Sequence, residues 1–418
     1  MVNETDFRPL RVALLSYRSN PHCGGQGVYI KNLSTALVRL GHLVDVISGP
    51  PWPELDDGVG LVKLPSLDLY NPADLFRIPG LGELSDPINL FEWLNVCAMG
   101  FPEPLTFSLR ALKYLSENGH KYDVVHDNQC LGYGLWAISR FLPTVATIHH
   151  PITVDRDVAV ESVRSWVKKA KIWRWYSFIG MQKRVSRKML RLITVSECSK
   201  TDILKEFPVH RGRMRVVPNG INTGLFRPLP KIERNPNRVL VTNSADTPLK
   251  GLYYLLQAID GVRKKRPVEL EVVGTPKKGG GVVKLIRELG LRDTVHFTGR
   301  LSDENFVARY AEAAVAVVPS VYEGFGLPAG EAMSCGVPVI STTGGALPEV
   351  VGDAGVLVPP ADPAALEAAI IDILDHPEKA AALGQAGFDR VHSMFTWKRA
   401  AEKVTDVYRE AMRAHRPV

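Results

Sequence analysis

The sequence predicts an α/β protein built of two doubly wound parallel-sheet domains, and three observations carry that prediction. At 418 residues the chain is too long for one hydrophobic core, because cores stop growing beyond roughly 250–300 residues. Short apolar runs of strand length alternate with stretches of helical spacing, in two separate cycles. Between the cycles, the stretch from Val216 to Pro236 is dense in Pro and Gly, as a domain boundary is. The predicted division is therefore 1–219, 220–396 and a terminal helix from 397 to 418.

The first cycle opens with the apolar run Arg11 to Ser16, a glycine-rich turn from Gly24 to Gly27, and helical spacing from Val28 to Leu40 that Gly41 ends. His42 to Ser48 reads as the next buried strand. The β-branched runs Asp123 to His126, Thr144 to His149 and Leu192 to Ser196 continue the sheet. The second cycle begins at Arg238 to Thr242, passes through a helix from Gly251 to Lys265, and reaches a strand from Glu269 to Val273 that ends at Gly274. Strands Val295 to Thr298, Val315 to Pro319 and Pro338 to Ser341 follow, parted by helical stretches. Residues 51–115 break the pattern, with prolines spread from Pro51 to Pro87 and aromatic pieces such as Leu90-Phe91-Glu92-Trp93. They read as a long irregular insertion with a functional use. A last helix, Trp397 to Arg413, is free by sequence alone to pack on either domain.

Composition excludes several classes. With 45% hydrophobic and 23% charged residues, and with Gly and Pro scattered, neither disorder nor a fibrous repeat is expected. The longest apolar runs, such as Val315 to Val318, fall far short of the roughly 18 residues that span a bilayer. Glu4 and Asp6 precede the short run Val12 to Leu15, which does not have the form of a signal peptide, so a cytoplasmic protein is expected. Five dispersed cysteines indicate neither a disulfide framework nor a zinc site. The net charge of +7 matters only where it is concentrated.

Chemistry is most legible from Val315 to Met333. A buried strand ends at Ser320, a glycine loop follows, and Pro328 stands where a helix should start. Ligands bind at such carboxyl ends of parallel strands. Gly324 and Gly326 let backbone N–H groups approach an anion, and the helix adds its positive end, so a phosphate belongs there. Glu331, read in the first turn of that helix, suits a vicinal diol such as a ribose, and Glu323 faces what lies beyond the phosphates. As a bland alternative, one carboxylate complements the helix dipole and the other is solvated. Gly25 and Gly27 form a second phosphate-cradle candidate, with Asp45 near the place of a ribose acid; Ile30 stands where a third glycine would complete a dinucleotide fingerprint. His126 and His149 sit at strand ends, where an imidazole either meets a sugar hydroxyl or is a satisfied structural group. Asp155-Arg156-Asp157 reads as a loop, with no further ligands for a metal.

Two glutamates separated by seven residues, with Gly-Phe-Gly-Leu-Pro between them, closely resemble the signature of retaining family-four glycosyltransferases with the GT-B fold, the glycogen-synthase-like and bacterial group-one enzymes. Gly24-Gly25-Gln26-Gly27-Val28, Val195-Ser196-Glu197, Pro218-Asn219-Gly220-Ile221 and Pro338 to Glu349 with Gly344-Gly345 extend the resemblance over nearly the whole chain, except 51–115. It implies two Rossmann-like domains facing across a cleft: an acceptor-side domain (1–219), completed by the helix 397–418, and a domain for a nucleotide-sugar donor (220–396).

Residue by residue, the resemblance implies that Glu331 binds the nucleotide ribose and Glu323 the donor sugar. His149, in a Thr-x-His, would touch that sugar near the reacting carbon. Phe325, Gly326 and Leu327 would offer backbone N–H groups to the donor, joined by Gly324, Gly25 and Gly27. Lys250 would meet the diphosphate. Ser or Ala occupies the place of the family's usual Arg in Thr242 to Gly251, which leaves helix N-termini and Arg300 to share that charge. The implied reaction moves a hexose with retention to an acceptor hydroxyl, with His149, Lys250 and Glu323 as the catalytic set and with neither cofactor nor metal. Rival readings on the same scaffold are a nucleotide-sugar-binding regulator without turnover, an epimerase and a phosphorylase.

Residues 162–196 contain no acid, yet carry ten basic residues, among them Lys168, Lys169 and Arg174, interleaved with Trp166, Trp173 and Trp175. Such a segment suits docking on an anionic membrane surface at its inner face, and so a lipid-linked or polysaccharide acceptor. The bland alternative is a helix packed on its own domain. Nucleic acid is not expected as a partner, because no binding motif is present.

Overall fold

The computed structural model describes residues 8–19, 25–71, 73–74, 77–242 and 247–416. The chain divides into two compact units, Met1–Val217 with Ala400–Val418, and Pro218–Arg399.

In the first unit, seven parallel strands are ordered β3-β2-β1-β4-β5-β6-β7. They are β1 (Arg11–Ser16), β2 (Leu43–Ser48), β3 (Gly60–Lys63), β4 (Val124–Asn128), β5 (Thr144–Thr147), β6 (Arg191–Thr194) and β7 (Met214–Val216). Strand β1 is paired throughout with β2 and over Val12 to Leu15 with β4, so its Val, Ala and Leu side chains are sealed on both faces. The helix Trp397–Ala414 completes this unit from Ala400 onward. Its Thr405 and Tyr408 hydroxyls meet the buried His42 and His126, and Glu410 pairs with Arg191 and Arg215 at 2.8 and 2.9 Å.

The second unit has six parallel strands ordered β10-β9-β8-β11-β12-β13. They are β8 (Asn235–Thr242), β9 (Glu269–Val273), β10 (Val295–Phe297), β11 (Ala313–Val318), β12 (Val339–Thr342) and β13 (Val356–Val358). Its core is aliphatic, with Val239, Val241, Leu255, Leu270, Val272, Val315 and Ile340 fully enclosed. In both sheets the order reverses beside the first strand, between β1 and β4 and between β8 and β11. These reversals mark the crevice outside the carboxyl ends where an open α/β sheet takes ligands.

Three expectations are corrected. Residues 51–115 are irregular only in part: between loops they supply edge strand β3 and the helices Leu81–Leu84, Pro87–Cys97 and the start of Glu103–Asn118. Asp155 and Asp157 lie on the helix Thr153–Glu161 and pair with His150 and Arg156 at 2.6 and 2.7 Å. Asp45 sits within β2, accepting from Tyr122 at 2.8 Å, and not at the ligand edge.

Candidate active site

At the switch point of the second sheet, β11 ends at Val318 and the chain runs through Ser320 to Gly326 into the helix Leu327–Ser334. Gly326 caps that helix in the left-handed region (φ 97°), and Pro328 takes its second position. Glu331 is thus its fifth residue and not part of the first turn, because the helix starts at Leu327. Burial pushes the Glu331 carboxyl up to about 7, opposed by a hydrogen bond with the Tyr310 hydroxyl. Any ligand that donates two hydrogen bonds would stabilise the ionised form.

Glu323 is held from two directions. Its Oε1 accepts from Lys250 Nζ at 2.7 Å and from Ser320 Oγ at 2.8 Å, which leaves Oε2 to accept from a ligand. Its main chain is seated on the loop after β12: Glu323 O accepts from Ala346 N at 2.8 Å. A Cβ on Gly345 (φ 64°) would stand 2.2 Å from that same oxygen, and one on Gly344 would stand 2.4 Å from Val321 O. The Gly344-Gly345 pair is therefore a seat for the glutamate loop. Lys250 closes the turn Pro248–Lys250, whose Leu249 O accepts from Val321 N at 2.8 Å; Gly251 follows with φ 70° and a Cβ position 1.9 Å from Pro319 O. One main-chain hydrogen bond and one glycine thus bring the lysine to the glutamate.

At the first unit's switch point, His149 follows β5. Its Nε2 donates to Asn128 Oδ1 at 2.7 Å, its backbone N–H donates to Gln129 Oε1 at 2.8 Å, and its ring stands edge-on to Tyr29 at 4.7 Å. Gln129 and Leu131 adopt φ of 57° and 49°, a turn that Asp127 braces by accepting from Leu131 N at 2.9 Å. Burial, then the nearby His150 and His126, hold the His149 pKa at about 3, so the ring is neutral. His126 meets Tyr408 and Thr147 hydroxyls at 2.7 Å each and is structural, as its bland reading had it.

Expected residues thus form two groups. Lys250, Glu323, Gly324, Phe325, Gly326, Leu327 and Glu331 come together in the second unit. His149 in the first unit shares its switch edge with Gly25 and Gly27, which lie in the first turn of the helix Gly25–Arg39 and not in a preceding loop. Gln26 O accepts from Asn128 Nδ2 at 3.3 Å. Gly24 and residues 243–246, where the missing Arg was sought, lie outside the described residues. Arg300 is not brought in: it stands exposed past edge strand β10, three strand positions from β11, roughly 14 Å at usual spacing.

The pattern of Glycosyltransferase Family 4 matches residues 23–225, and that of Glycosyl transferases group 1 matches residues 229–390. The MMP alpha-(1->4)-mannosyltransferase of Mycolicibacterium hassiacum is 49% identical over 408 residues, 96% of this chain and 98% of that protein. This chain is a family 4 glycosyltransferase. A D-inositol 3-phosphate glycosyltransferase of Streptomyces avermitilis is 29% identical, covering 98% of this chain and 89% of that one. The sucrose-phosphate synthase of Thermosynechococcus elongatus superposes with a TM-score of 0.75 at 27% identity, over 97% of this chain and all of that one. The enzyme has the fold of GT-B glycosyltransferases.

Sequence reading missed Asn128, Gln129, Ser320 and Tyr310 as holders of the expected site residues. The run Asp127-Asn128-Gln129, three polar residues closing a buried strand, was the available signal for the first two. Tyr310 lies on the helix Asp303–Glu312, far from Glu331 in sequence, and carried none.

Proposed function

We propose that this glycosyltransferase moves mannose from a nucleoside-diphosphate mannose to a hydroxyl of a carbohydrate acceptor, making an α-(1→4) bond with retention. The 49% identity to a mannosyltransferase, sustained over 96% of the chain, carries this reading. The second unit binds the donor: Glu331 takes the ribose diol, and Glu323 Oε2 a pair of sugar hydroxyls. As the sugar–phosphate bond breaks, negative charge builds on the leaving diphosphate. Lys250 and the N–H groups of Phe325, Gly326 and Leu327, at the positive end of their helix, stabilise it. The first unit supplies Gly25, Gly27 and the acceptor side. His149, neutral and fixed by Asn128, acts as a polar contact to a sugar hydroxyl and not as a proton carrier.

No cofactor is needed, because a lysine and fixed amides supply the charge a cation would. Transfer assays over a panel of nucleotide sugars, with the product linkage read by NMR, test the reading, and a β-linked product or preference for another sugar would overturn it. Undiminished transfer in EDTA is expected.

A membrane role rests on one observation. The helix Trp166–Trp175 has no buried residue, and Trp166 and Trp173 are 79% and 50% exposed beside its lysines. Among the described residues no helix is long and apolar enough to cross a membrane. We read the helix as docking on an anionic surface, which sedimentation with phosphatidylglycerol vesicles at low salt tests.

A further inference from the structure

The first unit carries charged and aromatic side chains that the donor chemistry leaves unused. Arg18 lies just beyond β1, at the carboxyl edge, 3.4 Å from the Glu103 carboxylate and 5.7 Å over the ring of Tyr70. Tyr70 meets Trp175 edge-on at 5.5 Å, and Trp175 stacks on Phe101 at 5.0 Å. The next ion pair inward, Glu92 with Arg110, is closed: both side chains are under one-tenth exposed, and Ser66 and Asn89 complete their bonding. Arg18 with Glu103 differs. Among the described residues Arg18 is the only hydrogen-bond partner of the Glu103 carboxyl, and the Arg18 side chain is a third exposed. Burial raises the pKa of this enclosed carboxyl to about 8, and any further hydrogen-bond donor that arrives stabilises its ionised, accepting form.

Position decides what that donor is. Ser16 Oγ donates to Arg18 O at 3.3 Å and accepts from Asn128 Nδ2 at 3.5 Å, while Asn128 Oδ1 accepts from His149 at 2.7 Å. Three hydrogen bonds therefore link Arg18 to the histidine assigned to the reacting sugar. A carboxylate that accepts, a forked guanidinium that donates and flat rings that cover C–H faces together match a pyranose, whose edges are hydroxyls and whose faces are apolar. We propose that Arg18, Glu103, Tyr70 and Trp175 form the subsite for the terminal sugar of the acceptor. The inference rests on the transfer reading above and names the residues that read its acceptor.

The experiment is steady-state transfer by the full-length enzyme, with nucleoside-diphosphate mannose and a mannoside varied in turn, for wild type and for Glu103→Gln, Arg18→Gln and Trp175→Ala. Acceptor KM is expected to rise about tenfold or more in each variant, with donor KM held within about twofold. Glu103→Gln alters an enclosed group, so if it fails to fold, Arg18→Gln and Trp175→Ala decide, since these side chains are partly exposed. An unchanged acceptor KM in either of those two, or an equal rise of both KM values, overturns the subsite while the transfer reading stands. A wild type that transfers no mannose to any carbohydrate acceptor overturns the reading beneath it.

Discussion

The two switch points solve different problems with different materials. In the second unit, charged groups meet: Lys250 bonds directly to Glu323, Ser320 bonds to the same carboxylate oxygen, and glycines at 251, 344 and 345 let backbone pack against backbone. In the first unit, neutral groups satisfy one another, His149 with Asn128 and Gln129, His126 with Thr147 and Tyr408. A diphosphate needs charge and close amides, whereas a sugar ring needs fixed donors and acceptors that do not repel it. The difference teaches that one edge is built to stabilise charge that develops and the other to hold a shape.

The largest test of that contrast removes the charge. Lys250→Ala should lower kcat by about 10²- to 10³-fold, as loss of a preorganised group facing a developing anion does. A smaller loss would mean that backbone amides alone carry the diphosphate. Next is the seat of the glutamate: in Gly345→Ala the added carbon meets Glu323 O, so kcat should drop about thirtyfold and stability by about 2 kcal/mol, read by steady-state rates and thermal melts.

Glu331→Ala should raise donor KM about tenfold or more, with a smaller change in kcat. On the proposed function, the ionised Glu331 carboxylate accepts a ribose hydrogen bond at each oxygen, which its protonated form cannot do. In the wild type, donor KM should therefore fall as pH rises through about 7, and the inflection should vanish in Glu331→Gln. The smallest effect is expected on the neutral side: Asn128→Ala should lower kcat about tenfold by loosening the ring, with no new inflection between pH 5 and 8, because His149 stays neutral well below that range. A new inflection there would make His149 a titrating group and erase the contrast.

The same contrast governs what could be read from sequence. The donor side was legible because its chemistry is local: Ser320 to Glu331 is one run, and its glycines and glutamates are the residue types an anion and a diol require. The subsite proposed in the first unit, with its histidine, would gather Arg18, Tyr70, Glu103, Asn128, His149 and Trp175 from six separate segments, and no spacing announces that they meet. Prolines misled the reading of 51–115. Pro87 opens the helix Pro87–Cys97 at its first position behind Asp86, whose side chain accepts from Ile88 and Asn89 amides. Strand β3 was missed because an exposed edge strand needs only an alternating pattern, and four residues are too few to display one.

The helix Trp397–Ala414 has a consequence for how the enzyme is made. Tyr408 bonds to His126, Thr405 to His42, and Glu410 to Arg191 and Arg215, so four side chains of the first unit wait for partners from the end of the chain. Synthesis proceeds at about 5–20 residues per second, so all of Pro218–Arg399 is translated, on the order of ten seconds or more, before those partners leave the ribosome. The unit that begins first is finished last, and until then its buried histidines and paired arginines are exposed to whatever chaperone attends the nascent chain.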